Sequence, residues 1–172
     1  MNEALFSYYD QPLQGNHLPS NRLNELINSN RIVIIHFLRH LGCLFCKHTV
    51  DEFYRFRQEN PSFPPVYFVH QSSTEIGEKF FGQHYPGAAH ISDTSLNLYH
   101  LFHIKRAKPA NLLNPFMLWK GMQLTLKGYR NKSGFGDELL LSGTFLFLDG
   151  KLVWSHLAKN PGDVIDWKKL PA

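Results

Sequence analysis

The sequence predicts an α/β fold: a mixed central sheet flanked by helices and closed by a C-terminal β-hairpin. Three observations carry that reading. The run Ile32-Val33-Ile34-Ile35-His36-Phe37-Leu38 is β-branched and almost wholly apolar, as a strand buried on both faces must be. From there to Phe102 strand-like and helix-like segments alternate, the order β-α-β-α-β-α that builds layered domains with right-handed crossovers. Near the end, Asp149-Gly150 separates two strand-like runs, Gly143 to Leu148 and Leu152 to His156, which is a strong signal for a two-residue hairpin.

The elements follow in chain order. Residues 1–19, with Pro12 and Pro19 and no steady periodicity, read as a loose entry segment. Ser20 or Asn21 caps a short helix with Leu23, Leu26 and Ile27 on one face. After the first central strand, Gly42 to Cys46 turns the chain. Phe45, Val50, Phe53 and Tyr54 then form a helical stripe to about Glu59, stopped by Pro61, Pro64 and Pro65. Val66 to Val69 is the next strand. Ser72, Ser73 or Thr74 caps a helix reaching His84, broken by Pro86-Gly87. Ala88 to Ser92 reads as a short strand, and Asp93 or Thr94 caps a helix with Leu96, Tyr99, Leu101 and Phe102. The stretch 105–142 has the character of an insertion. Asn114-Pro115 opens a helix within it, whose Phe116, Leu118, Trp119 and Met122 are expected to face inward, and Asn131 to Asp137 is a glycine-containing loop. Val164 to Leu170 reads as a closing helix.

Composition narrows the function classes. The chain has 172 residues, of which 43% are hydrophobic and 14% aromatic, enough for one domain with a substantial core. The net charge of +4 is spread thinly, with a loose cluster from Lys105 to Lys132, and lacks the dense basic stripe of a nucleic-acid binder. The apolar run at Ile32 is far too short to span a bilayer. Met1-Asn2-Glu3-Ala4 carries an acid where a secretory leader carries positive charge, so the expected location is cytoplasmic.

The two cysteines, Cys43 and Cys46, lie three positions apart between a buried strand and the first turn of a helix. A close pair cannot staple distant parts of a fold; in a reducing compartment it points to redox or metal chemistry. A helix N-terminus offers unpaired N–H groups and positive potential, which stabilise a thiolate on the first cysteine. The second lies one turn on, placed to resolve a mixed disulfide. Arg39, His40, Lys47 and His48 surround the pair, and cations there favour ionisation. Arg39 can hold a peroxide or sulfenate oxygen through its guanidinium, and His40 is the local acid–base candidate. Three readings stay open on the residues alone: a thiol–disulfide enzyme with Cys43 as nucleophile, a redox-sensing or binding module, and a zinc site completed by His36, His40 or His48. Two inert buried thiols are the bland alternative.

The segment His36-Phe37-Leu38-Arg39-His40-Leu41-Gly42-Cys43-Leu44-Phe45-Cys46 resembles the active-site region of the peroxiredoxin-like branch of the alkyl hydroperoxide reductase/thiol-specific antioxidant family. That branch often carries a strand, then Arg-x-x-Gly-Cys-x-x-Cys, then a helix. Ile91-Ser92-Asp93 followed by Leu98-Tyr99, and the hairpin from Gly143 to His156, are similar to later steps of the same family. The resemblance spans roughly residues 30 to 170. It implies a thioredoxin-like fold, a thiol oxidoreductase or peroxide-handling role, Cys43 at the reactive position and Cys46 as its partner. His36 and His40 stand where typical peroxiredoxins place proline and a threonine or serine. Phe37 stands where a thioredoxin has a buried aspartate, and Ser142-Gly143-Thr144 replaces its cis-proline step.

The expected substrate is therefore a peroxide or a disulfide. The expected reductant is an external thioredoxin or glutathione system, with no organic cofactor and no metal. The remaining histidines add no metal motif: His100 and His103 are three apart, His84 and His90 flank a turn, and no His-Glu-x-x-His occurs. Gly134-Phe135-Gly136 lacks the rest of a phosphate-binding loop.

Overall fold

The computed structural model describes residues 10–108 and 115–171. A six-stranded sheet forms its middle layer. The strands are β1 (Gln14–Asn16), β2 (Ile32–Phe37), β3 (Val66–His70), β4 (His90–Ser92), β5 (Gly143–Leu148) and β6 (Lys151–Leu157), and their spatial order is β1-β4-β3-β2-β5-β6. The pairs β2–β3 and β3–β4 are parallel; β1–β4, β2–β5 and β5–β6 are antiparallel. The helices are α1 (Leu23–Ile27), α2 (Leu44–Glu59), α3 (Thr74–His84), α4 (Asn97–Leu101) and α5 (Pro115–Leu126). The expected mixed sheet, flanking helices and terminal hairpin are all present.

Period-two alternation along the central strand builds two cores. Val33, Ile35 and Phe37 point to the face covered by α1 and α4, where Leu23, Leu26, Tyr99 and Phe145 pack. Ile34 and Leu38 point to the opposite face, where Val50 and Phe53 of α2, Phe81 of α3 and Met117 and Leu124 of α5 meet them. His36 shares that second face, fully enclosed, with Nδ1 hydrogen-bonded to Thr144 Oγ1 at 2.8 Å and its ring 5.2 Å from the Trp167 ring. Burial pushes its pKa down to about 3, so it is a neutral core residue.

Several ends of elements obey local rules, and some do so through residues other than those expected. Ser73 caps α3, its hydroxyl accepting from the Ile76 N–H. Asp93 caps α4 from a distance. Its buried carboxylate accepts from the N–H groups of Asn97, Leu98 and Tyr99 at 2.8 to 3.1 Å, while the residue at the cap position, Leu96, sits in the left-handed region. The hairpin turn has both Asp149 (φ 47°) and Gly150 (φ 71°) left-handed, as a type I′ turn requires.

Four expectations are corrected. The entry segment is not wholly loose: Gln14–Asn16 adds an edge strand to β4, and a side chain at Gly15 would strike the His90 carbonyl. The cap position of α1 is Arg22; Ser20 accepts from the Arg22 N–H instead. The closing helix shrinks to a 3₁₀ turn, Trp167–Lys169, held by Asp166 accepting from the Lys168 N–H and by Trp167 Nε1 donating to the Thr49 carbonyl. On α5, Leu118, Trp119 and Met122 are at least half exposed, and the inward residues are Met117 and Leu124; the register is set by the α2 surface, which accepts positions seven apart. Asn114 and the Phe116 side chain lie outside the described residues.

The stretch after α4 leaves and rejoins the body at one place. Leu141 N–H donates to the Lys105 carbonyl and Ala107 N–H to the Leu139 carbonyl, with a bridge between Arg106 and Leu140. The returning limb, residues 127–140, is called the strap below.

Two outcomes are expected. Asp93→Ala removes the acceptor of three N–H groups in a buried place, and urea denaturation should show a loss of about 2–3 kcal/mol. The neutral His36 has a folded pKa below its unfolded value, so the unfolded chain binds the extra proton as pH falls. Stability from this group is complete above about 6.5 and falls by about 1.4 kcal/mol per pH unit from there towards 3. His36→Asn should flatten the acid limb of a denaturation-midpoint profile over that window.

Candidate active site

Strand β2 ends at Phe37, and the loop from Leu38 to Gly42 delivers Cys43 to the N-cap of α2 and Cys46 to its first turn. Parallel pairing of β2 with β3 places this loop at the carboxyl end of both strands, beside His70 and Gln71. The helix N-terminus is there, but Cys43 does not cap it with its sulfur. The Leu44 N–H instead donates to Asn131 Oδ1 of the strap at 3.0 Å.

Both cysteines are free thiols, and they lie side by side. Arg39 binds each sulfur: Nη1 donates to Cys43 Sγ at 3.0 Å and the backbone N–H donates to Cys46 Sγ at 3.3 Å. The rest of the guanidinium is held in place, with Nε donating to the Leu140 carbonyl at 3.0 Å and Nη2 to the Glu138 carbonyl at 2.6 Å. Gln71 holds the peptide behind it, donating to the Arg39 and Asp137 carbonyls and accepting from the Asp137 N–H at 2.6 Å.

This arrangement splits the two thiols. Cys43 is brought down to about 5, first by the hydrogen bond from the Cys46 thiol, then by the Arg39 charge; burial opposes both. Cys46 moves the other way, well above a free thiol, because it is buried and donates to its neighbour. One proton shared by the pair thus resides on Cys46, and Cys43 carries the thiolate at neutral pH. His40 is buried beside them. Its Nδ1 has no hydrogen-bond partner, and burial lowers its pKa, so the ring is neutral.

The pair is closed off from solvent: Cys43 is 0% exposed and Cys46 4%. The strap closes over them. Lys132 N–H donates to the Gly42 carbonyl at 2.9 Å, Lys47 Nζ to the Arg130 carbonyl at 2.7 Å, and Phe135 lies against Gly42, where a Cβ would collide with it and with the Lys132 carbonyl. The sulfurs belong to the apolar cluster of Leu38, Leu41, Leu44 and Phe45, and the Arg39 guanidinium brings a polar group into it. Within the strap Gly128, Gly134 and Gly136 adopt φ of 94°, 85° and 112°.

All four residues picked from the sequence, Arg39, His40, Cys43 and Cys46, therefore converge. Lys47 is half-buried and tied to the strap, and His48 turns away towards Glu52, 3.4 Å from its carboxylate. His36 serves the core, and His100 and His103 do not pair, since His103 lies beyond α4 at φ 53°. No group of three or more metal-ligating side chains assembles among the described residues. Sequence reasoning missed Gln71 and Asn131, and the Glu138 and Leu140 carbonyls; only Asn131, in a polar loop after a helix, had a visible signal.

The chain order, the sheet order and the Cys-bearing loop at the end of the central strand can be compared with solved structures. Peroxiredoxin Q of Xanthomonas campestris superposes with a TM-score of 0.60 at 17% identity, over 88% of this chain and 82% of that one. The fold is that of the peroxiredoxins. A second structure of the same kind, the bacterioferritin comigratory protein of that organism, matches with the same TM-score and coverage at 16% identity, and its description concerns alkyl peroxide reduction. A peroxiredoxin-like protein from Aquifex aeolicus matches at a TM-score of 0.50 and 11% identity, over 80% of this chain and 67% of that one. No family model and no curated protein matches the sequence. The peroxiredoxin-like fold confirms the thioredoxin-type architecture that the cysteine segment implied. Among the described residues no helix is long and apolar enough to cross a membrane.

Iodoacetamide labelling against pH should give Cys43 a midpoint well below the free-cysteine value of about 8.5. Arg39→Met and Cys46→Ala each remove a stabiliser of the thiolate and should raise that midpoint; a midpoint unchanged in both would contradict the electrostatic account.

Proposed function

We propose that this protein is a peroxide-reducing thiol oxidoreductase that works through Cys43 and Cys46. The observation that carries the reading is the donation from Arg39 Nη1 to Cys43 Sγ, with the unpartnered His40 Nδ1 alongside. A thiolate, a fixed cation and a free imidazole nitrogen in one enclosed space suit an O–O bond cleavage better than a structural role. The printed description of alkyl peroxide reduction for one structural relative supports the same substrate class.

The Cys43 thiolate attacks one oxygen of the hydroperoxide. An S–O bond forms, the O–O bond breaks, and the leaving alkoxide takes a proton to become an alcohol, leaving sulfenic acid on Cys43. Of the five guanidinium N–H groups, three are committed to Cys43, Glu138 and Leu140, and two remain to hold the peroxide oxygens as charge builds on them. The His40 ring lies close enough to Cys43 to feel its charge and in this reading bonds the second oxygen through Nδ1, where a hydroxyl does so in typical peroxiredoxins. The Cys46 sulfur then attacks the sulfenic sulfur; its proton leaves with the hydroxyl as water, and a disulfide forms. An external dithiol or glutathione returns two electrons and two protons. No metal and no organic cofactor takes part.

A second reading rests on the burial of Cys43 behind the strap. Arg39 joins both sulfurs to the Glu138 and Leu140 carbonyls, so a disulfide would alter what holds the strap. In a redox sensor that change is the output.

Steady consumption of cumene hydroperoxide with dithiothreitol as reductant is expected. Cys43→Ser should abolish it, and Arg39→Met should slow it about 10²-fold. Cys46→Ser should leave one stoichiometric turnover. Absence of turnover in the wild type, together with oxidant-dependent cleavage by protease between residues 128 and 136, would replace the enzyme with the sensor.

A further inference from the structure

Beside the strap lies a groove of about 730 Å³. Its floor is apolar, formed by Leu41, Ile76, Phe80 and Phe135. Its rim carries Lys47 from α2, Lys79 from α3, and Lys127, Arg130 and Lys132 from the strap. Lys79 is neutralised by Glu75 at 2.7 Å. The other four cations meet no carboxylate at ion-pair distance among the described residues. The one acid lining the groove, Asp51, is already engaged, hydrogen-bonded to His84 Nδ1 at 2.8 Å and accepting from the Tyr129 hydroxyl at 2.7 Å.

Like charges gathered around a partly desolvated cleft repel one another, and a bound anion relieves the repulsion. Lys47 is held below its ordinary range first by burial and then by the charge of Lys132, with Cys43 and Cys46 opposing both. The size fits a small molecule rather than a protein surface. The floor favours an occupant with an apolar part over a bare inorganic ion, which would leave the partly exposed Ile76 and Phe135 uncovered.

We propose that this groove binds a small amphiphilic organic anion, a hydrocarbon chain ending in a carboxylate or phosphate. Its head bridges Lys47 on the body to Lys127, Arg130 and Lys132 on the strap, and its chain lies on Phe80 and Phe135. Cys43 and Cys46 do not line the groove, so this is a site separate from the sulfurs. Its consequence for them is mechanical. A ligand that joins the strap to α2 holds the cover shut and lowers the rate at which reagents reach Cys43.

Calorimetric titration of the full chain with octanoate, octyl phosphate, octanol and inorganic phosphate tests the proposal. The two amphiphilic anions are expected to saturate a single site. Octanol and inorganic phosphate should each bind about tenfold more weakly or not at all. Lys127→Gln/Lys132→Gln should weaken octanoate about tenfold, the effect of losing two partly desolvated charge pairs. Saturating octanoate should also slow iodoacetamide labelling of Cys43 by roughly threefold in the wild type and not in the double variant. Equal binding of octanol and octanoate, or octanoate binding unchanged in the double variant, overturns the site; an unchanged labelling rate overturns the bridging. Should the double variant fail to fold, wild-type titration in about 20 and about 500 mM salt decides, since affinity insensitive to salt removes the charge argument. The binding heats need no peroxide turnover, so this result stands apart from that of the catalytic assay.

Discussion

The guanidinium of Arg39 is the tie on which the site depends. It donates to Cys43 Sγ while the backbone N–H of the same residue donates to Cys46 Sγ, and its far side is clamped by two carbonyls roughly a hundred residues away in sequence. A single planar group thus adds to the Cys46 hydrogen bond in favouring the Cys43 thiolate and also binds the strap above it. A flexible lysine could supply the charge but not three directed bonds at once. Gln71 completes the clamp by holding the Arg39 carbonyl and both sides of the Asp137 peptide, so loop, strand β3 and strap are locked as one unit.

That unit sits on a core in which several buried polar groups pair with neighbours. His36 and Thr144 pair across β2 and β5; Tyr99 donates to the Leu38 carbonyl at 2.5 Å and the Val69 carbonyl at 3.2 Å, pinning the ends of two parallel strands just where the cysteine loop begins. His70 and His90 share a hydrogen bond at 3.0 Å, and burial keeps the former neutral, with a pKa near 3. The loop bearing the thiols is therefore anchored on three sides before any interaction with the strap is counted.

Much of this was legible in the residues. The apolar run from Ile32 and the Asp149-Gly150 turn marked the central strand and the hairpin because both obey local rules of burial and backbone geometry. The cysteine spacing with Arg39 and His40 marked four residues that the structure brings together, since all four lie within eight positions. What escaped had no local signature. Gln14–Asn16 is a strand only because β4 offers it backbone partners; nothing in Gln-Gly-Asn favours extended chain. The outward face of α5 looks as apolar as its inward one, so the pattern there was ambiguous. The clamp on Arg39 uses main-chain carbonyls, which every residue possesses. The closure over Cys43 depends on contacts between positions some ninety apart, which single-sequence periodicity does not encode.

The placement of Cys46 one turn behind Cys43, already hydrogen-bonded to it, bears on how the protein would age under oxidative load. A sulfenic acid formed on Cys43 needs no unwinding of α2 to find its partner, so capture outruns a second encounter with oxidant. Irreversible conversion to sulfinic acid should accordingly be rare even at high peroxide, and the chain would behave as a durable scavenger rather than a fuse that burns out once.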